Sequence, residues 1–219
     1  MVRAVLVFDF DGTIADTEMP LFVAWSELYA QHGVPLDLER WQSIIGTDDD
    51  FDPWDELVAH AGPLDPALNR ARQRRRDALI HEAGLRPGIQ QWLDDAERLG
   101  VPVGIASSSP PSWVEHHLER LGLRDRFGCL ARADGVLPGK PDPTSYRHAV
   151  EQLGGDPALS VAVEDSPNGV RAAVGAGLYT IAIPHDLTRA LDLTDAHEVH
   201  DSLESVSLEA ALHRSASRT

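Results

Sequence analysis

Short apolar, β-branched runs alternate along this chain with stretches whose apolar residues recur at helical spacing. The runs predict strands at Ala4–Phe8, Val101–Ala106, Phe127–Leu130, Ser160–Val163 and Leu178–Ile183. Between them, Ile89, Trp92, Leu93, Ala96 and Leu99 mark one helical face, closed by Gly100 and Pro102. Val114, Leu118 and Leu121 mark a second face that ends at Gly122. Val150 and Leu153 end a third, before Gly154-Gly155. Strand and helix in alternation predict an α/β fold built on a doubly wound parallel sheet.

One segment breaks the alternation. Residues 16–85 contain no good strand, only helical stretches at Pro20–His32, Leu38–Ile45, Pro53–His60 and Leu64–His81. The expected organisation is therefore an α/β core of residues 1–15 and 86–219 with an inserted helical cap over 16–85. Its hinges are expected at Ala15–Thr17 and Gly84–Gly88. The last residues, Ser215–Thr219, are expected to fray.

Composition narrows the function classes. A chain of 219 residues, 42% hydrophobic and 25% charged, is ordinary globular material that can bury a full core. A net charge of −16 argues against nucleic acid and against an anionic membrane surface, both of which call for basic patches. A small anionic substrate then needs a local positive site within a repelling field. Of nineteen Lys and Arg residues, one is lysine, Lys140, a candidate for a role that arginine cannot fill. The lone Cys129 excludes an internal disulfide and reads as a small apolar residue. No run approaches the ~18 apolar residues of a membrane span, and the N-terminus lacks a signal-peptide pattern. A cytoplasmic protein, monomeric or weakly homo-oligomeric, is expected.

Four strand ends carry polar residues. The first is Asp9-Phe10-Asp11-Gly12-Thr13, which reads either as a solvated turn or as paired carboxylates facing one crevice. In the second reading one acid attacks or holds a cation while the other moves a proton. The second end is Ser107-Ser108-Ser109-Pro110-Pro111, a serine N-cap or a phosphate cradle. Gly139-Lys140-Pro141-Asp142-Pro143 presents one ammonium from a proline-braced loop. Glu164-Asp165-Ser166 supplies carboxylates that either complement a helix dipole or, with Asp9, form an oxygen-rich site suited to Mg²⁺.

Each piece alone is ambiguous; the four in this order resemble the haloacid dehalogenase superfamily, on its phosphatase side. The likeness spans the chain: Asp9 to Thr13 match the first motif, Ser107 the second, Lys140 the third and Glu164-Asp165 the fourth. The Gly-Lys-Pro-Asp-Pro and Glu-Asp-Ser-Pro-Asn-Gly runs are similar to the subgroup of β-phosphoglucomutase and sugar-phosphate phosphatases. The resemblance implies that Asp9 attacks phosphorus to form an aspartyl phosphate and that Asp11 serves as general acid, then base. It also implies Mg²⁺ held by Asp9, the Asp11 carbonyl, Asp165 and Glu164, with Ser107, Ser108 and Lys140 holding phosphoryl oxygens. The implied substrate is a small phosphorylated metabolite, a sugar or polyol phosphate.

Departures from relatives narrow the reading. The mutase carries a cap histidine where this chain has Leu21, and its cap arginine corresponds to Asp49 here. Both weaken the alternative of a phosphosugar mutase. The cap lacks the lysine that a Schiff-base phosphonate hydrolase needs, and Asp11 argues against 2-haloacid dehalogenases. A catalytically idle phospho-ligand binder is the remaining alternative, opposed by the intact Asp9, Asp11, Lys140 and Asp165. The acidic run Thr47–Asp52 either faces the site and disfavours a second anion or caps the following helix. Arg70, Arg72, Arg74, Arg75 and Arg76 read as a solvated basic helix face. The five tryptophans read as packing, and the histidines, His197 and His200 included, as surface or satisfied groups rather than metal ligands.

Overall fold

The computed structural model describes residues 3–45, 51–132 and 138–218. Six parallel strands form one sheet: β1 (Leu6–Phe8), β2 (Val103–Ser107), β3 (Cys129–Arg132), β4 (Val161–Glu164), β5 (Tyr179–Ala182) and β6 (Glu198–Val199). Their order is β3-β2-β1-β4-β5-β6. β1 lies between β2 and β4, with Val7 opposite both Gly104 and Ala162. The chain leaves β1 on opposite sides toward β2 and β4, so the crevice beyond its carboxyl end is the sheet's switch point.

Both faces of the sheet are covered, which is why its strands read as unbroken apolar runs. Leu6, Phe8, Ile105, Val163 and Ile181 face one side. There they meet α5 (Ile89–Leu99), α6 (Pro111–Arg120) and α9 (Leu208–Ala216) through Trp92, Leu93, Leu118 and Leu208. Val5, Val7, Ala106 and Ala162 face the other, against α7 (Thr144–Gln152) and α8 (Pro167–Gly175) through Tyr146, Val150 and Ala173.

The helices before α5 are α1 (Glu18–Gln31), α2 (Leu38–Ile44), α3 (Pro53–Ala61) and α4 (Pro66–Ala83). Asp37, Asp52 and Asp65 start the last three by accepting backbone N–H groups, and a proline opens α3 and α4. Their cluster, built on Trp25, Leu28, Tyr29, Trp41 and Leu57, is separate from the sheet's own and takes in Leu187 from beyond β5. At the junction, Ala15 bridges Leu85 and the Arg86 N–H donates to the Ile14 carbonyl at 3.0 Å.

Two expectations fail. β6 has no apolar run to announce it; two residues pair with β5 because the His197 and His200 N–H groups reach the Thr180 and Ala182 carbonyls at 2.9 Å. The expected frayed tail is helical through Ala216. Ser215 there is fully buried and donates to the Ala158 carbonyl at 3.1 Å. Of the run Thr47–Asp52, residues 47–50, Asp49 included, lie outside the described residues, while Asp52 caps α3 at 2.8 Å. The arginines of α4 do not share one solvated face: Arg72 is buried over the Trp25 ring at 4.1 Å, and Arg75 pairs with Glu27.

His117 on α6 is buried beside Phe10 and Trp113. Burial, then Arg120 and His116, lower its imidazole to about 4. The unfolded chain, titrating near ~6.5, takes up that proton first. This group's contribution to stability is therefore complete above about pH 6.5 and lost as pH falls toward 4. Urea midpoints of wild type and His117→Gln at pH 7.5 and 4.5 check it: the wild-type advantage should shrink at the lower pH, and an equal difference at both would refute it.

Candidate active site

The sheet's geometry brings the sequence-predicted groups to one place. Asp9 follows β1, and its N–H donates to the Val163 carbonyl of β4 at 2.9 Å, which fixes the carboxylate beside Glu164 and Asp165. Ser107 ends β2 on the other side. Lys140 enters from the loop before α7, and its ammonium donates to Asp9 Oδ1 and, at 2.6 Å, to Glu164 Oε1. Asp9, Lys140, Glu164 and Asp165 are all at least nine-tenths buried.

Glu164 is the floor of this arrangement. Its Oε1 accepts from Lys140 and the Tyr146 hydroxyl, while Oε2 accepts from the Asp165 N–H at 3.2 Å and Ser166 Oγ at 3.4 Å. α8 packs so closely that a Cβ on Gly169 would lie 1.9 Å from Glu164 Oε2. Asp165 is held by Thr13 Oγ1 at 3.2 Å and His185 Nε2 at 2.9 Å. His185 Nδ1 accepts the Leu187 N–H, so its Nε2 carries the proton that it gives to Asp165.

Burial, then repulsion from Glu164, Asp165 and Asp11, raises Asp9 well above the usual carboxylate range, although Lys140 works the other way. Burial works against the Lys140 ammonium, but Asp9 and Glu164 outweigh it and hold its pKa up. The carboxylates of Asp9, Glu164 and Asp165 offer one oxygen each within 4.8 Å of one another. Such an all-oxygen, strongly anionic set fits a hard divalent cation such as Mg²⁺. Gly12, at φ +77°, lets the backbone pass where a Cβ would come within 2.6 Å of Asp165 Oδ2.

Asp11 is kept apart from that cluster. Thr17 Oγ1 and Trp113 Nε1 each donate to its Oδ1 at 2.8 Å, and Ser109 Oγ donates to Oδ2 at 2.6 Å. Ser107 Oγ accepts the Ser109 N–H at 3.0 Å, and Ser108 Oγ is buried without a hydrogen-bond partner. A phosphoryl oxygen would satisfy that hydroxyl.

Asp9, Asp11, Ser107, Ser108, Lys140 and Asp165 line one cavity of about 350 Å³, with Glu164 beneath. Its opposite wall is Leu21, Trp25, Trp41, Ile44, Ile45, Phe51 and Pro53, and the ionisable group on that side is Glu18. Burial, then Asp11, Asp165 and Asp16, raises Glu18 well above its ordinary value. Sequence reasoning missed Glu18, Tyr146 and His185, placed Thr17 in a hinge and Ser109 in the serine run without seeing that both reach Asp11, and read Trp113 as packing. Thr17 ends the expected hinge and Glu18 directly follows it, a signal that was present. Tyr146 and His185 reach the site through packing, which spacing does not encode.

Cys129 is half-buried, and burial raises its thiol pKa, as suits an inert residue. Among the described residues the carboxylate cluster is the one group arranged to hold a metal. None of their helices is long and apolar enough to cross a membrane.

The model of the haloacid dehalogenase-like hydrolase family matches residues 4–177. The chain is 36% identical to YhcW of Bacillus subtilis, over 95% of each chain. It is 32% identical to hexitol phosphatase B of Escherichia coli, over 81% of this chain and 82% of that one. The crystal structure of CbbY from Rhodobacter sphaeroides in complex with xylulose-(1,5)bisphosphate superposes with a TM-score of 0.75 at 33% identity, covering 97% and 99% of the two chains.

Gly169→Ala tests the floor of the site. The added methyl must displace Glu164, at a cost of about 1–3 kcal/mol in stability, and release its hold on Lys140. Phosphate release measured well below the melting transition should fall at least about tenfold. Unchanged turnover would show that Glu164 need not be held there.

Proposed function

This chain belongs to the haloacid dehalogenase-like hydrolases, a phosphoric monoester hydrolase, and on that premise we propose that it hydrolyses a sugar or polyol monophosphate through an aspartyl-phosphate intermediate on Asp9. The observation that carries the reading is the buried set of Asp9, Lys140 and Asp165 opening, with Asp11 beside it, on one cavity. We read residues 16–85 as a cap over the core site and the cytoplasm as its compartment.

In this reading an Asp9 oxygen bonds to phosphorus as the bond to the leaving oxygen breaks. Asp11 gives that oxygen its proton, so a neutral alcohol departs. Asp11 then takes a proton from the incoming water, whose oxygen displaces Asp9 and yields inorganic phosphate. Lys140 and the Ser107-Ser108 turn hold the phosphoryl oxygens. Asp9 and Asp165 with the Asp11 carbonyl would hold Mg²⁺, Glu164 acting through water. The ion supplies the positive charge that lets a carboxylate approach a phosphate.

The wall facing the phosphate site supports the substrate class. Its apolar and aromatic side chains suit the carbon face of a polyol, and Glu18 suits its hydroxyls. Among the described residues that wall carries no cation. A second phosphate buried there would lack a partner. Hexitol phosphatase B supports this reading, whereas the CbbY complex holds a bisphosphate. Leu21 lines the cavity where a mutase would need a proton carrier.

Phosphate release from a panel of sugar and polyol mono- and bisphosphates, with Mg²⁺ or EDTA, checks the reading. Release should require Mg²⁺ and vanish in Asp9→Asn, and monophosphates should lead bisphosphates by about tenfold or more in kcat/KM. Isomer interconversion faster than release would identify a mutase; ligand binding without turnover would identify an idle binder.

A further inference from the structure

Trp113, on α6, combines a direct bond to Asp11 with a contact to the helical unit. Its indole N–H donates to Asp11 Oδ1 at 2.8 Å. The Arg76 guanidinium of α4 lies 4.7 Å above its ring, and His117 meets the ring edge-on with centroids 4.2 Å apart. The indole is thus clamped between a core side chain and a cation from residues 16–85, the segment read as the cap. Arg76, Trp113, Thr17 and Ser109 also line a second cavity, of about 310 Å³, which shares Asp11 and Glu18 with the first.

The three donors to Asp11 differ chemically. Thr17 and Ser109 are hydroxyls, which turn from donor to acceptor when a carboxylate gains a proton. An indole N–H only donates. Trp113 therefore remains a donor to Oδ1 whichever way the hydroxyls turn, and in the structure it shares that oxygen with Thr17. The indole thus fixes the orientation of the carboxylate through Oδ1, while Oδ2, 2.6 Å from Ser109 Oγ, is held by a hydroxyl alone.

We propose that Trp113 is a positioning residue for the acid/base Asp11, fixing the orientation of its carboxylate through Oδ1, and that Arg76 on the indole face makes this positioning depend on the seating of the cap. The proposal rests on the phosphatase reading of Asp9 and Asp11.

The test uses leaving-group dependence, because p-nitrophenolate departs without a proton and an alkoxide does not. For Trp113→Phe, which keeps the ring over His117 and under Arg76, kcat/KM for the best alkyl phosphomonoester should fall roughly five- to thirtyfold. For p-nitrophenyl phosphate it should fall less than about threefold. Arg76→Gln, at a half-exposed position, should shift the same ratio in the same direction by a smaller factor, with the urea midpoint retained. An equal loss on both esters, or none, with Asp9→Asn inactive, would overturn the positioning role alone. A shifted ratio in Trp113→Phe with none in Arg76→Gln would overturn the cap coupling. Should Trp113→Phe fail to fold, an unchanged ratio in Arg76→Gln overturns the proposal. Activity surviving in Asp9→Asn would remove the phosphatase reading and the proposal with it.

Discussion

The buried contact of the Lys140 ammonium with Asp9 and Glu164 is the constraint on which the rest of the site depends. It ties the ends of β1 and β4 to the loop before α7, three segments far apart in sequence. Buried ion pairs contribute little net stability, because desolvation offsets most of the attraction, while removing one partner strands the other at high cost. This cluster is thus better understood as a way to hold the Asp9 carboxylate in place, as the proposed reaction requires, than as a source of stability. It also answers the charge problem of a protein at −16, since the positive charge that an anion must meet is concentrated at one buried point. A lysine suits the position: a compact ammonium with three donors reaches Asp9 and Glu164 at once and lies 5.3 Å from the Tyr146 ring centroid.

Polar groups fixed by the sheet and apolar groups presented by the helices meet across one cavity. The sheet side is over-determined: Glu164 has four partners, Asp165 has two, and Gly12 and Gly169 are required by close approach. The facing wall is aromatic and aliphatic, held by its own cluster and backed by Arg72 behind Trp25. Chemistry that needs sub-ångström placement thus sits on the sheet, and shape selection is left to surfaces that change without disturbing it.

Much of this was legible in the sequence because the signals are local. Strands buried on both faces read as continuous apolar runs, and β1, β2, β4 and β5 lie where those runs stand. Two helices of residues 16–85, α3 and α4, announce themselves by Asp caps followed by proline. Asp9, Asp11, Ser107, Lys140 and Asp165 were identifiable because each ends a strand or sits in a proline-braced loop. What escaped is what tertiary packing decides. β6 exists by pairing with β5 rather than by its own propensity, and Ser215 is ordered by carbonyls of the Ala158–Ser160 turn. Trp113 falls at a helical position equally suited to packing, and nothing in its spacing shows that its N–H reaches Asp11.

Asp9 and Asp11 stand two residues apart on one strand end, yet the fold gives them opposite surroundings. Asp9 is enclosed by charges: one ammonium against the carboxylates of Glu164 and Asp165. Asp11 is surrounded by neutral donors, two hydroxyls and an indole, and opens on both cavities. A carboxylate in the first setting keeps its oxygens aimed and charged only while its counter-charges stay in place, which suits attack at a fixed centre. A carboxylate among hydroxyls can lose or gain a proton while those hydroxyls reverse, and no neighbouring charge has to move. In the proposed reaction the same side chain would serve two tasks, because the sheet turns one copy inward to the charge cluster and the Asp-Gly turn swings the other toward the helices.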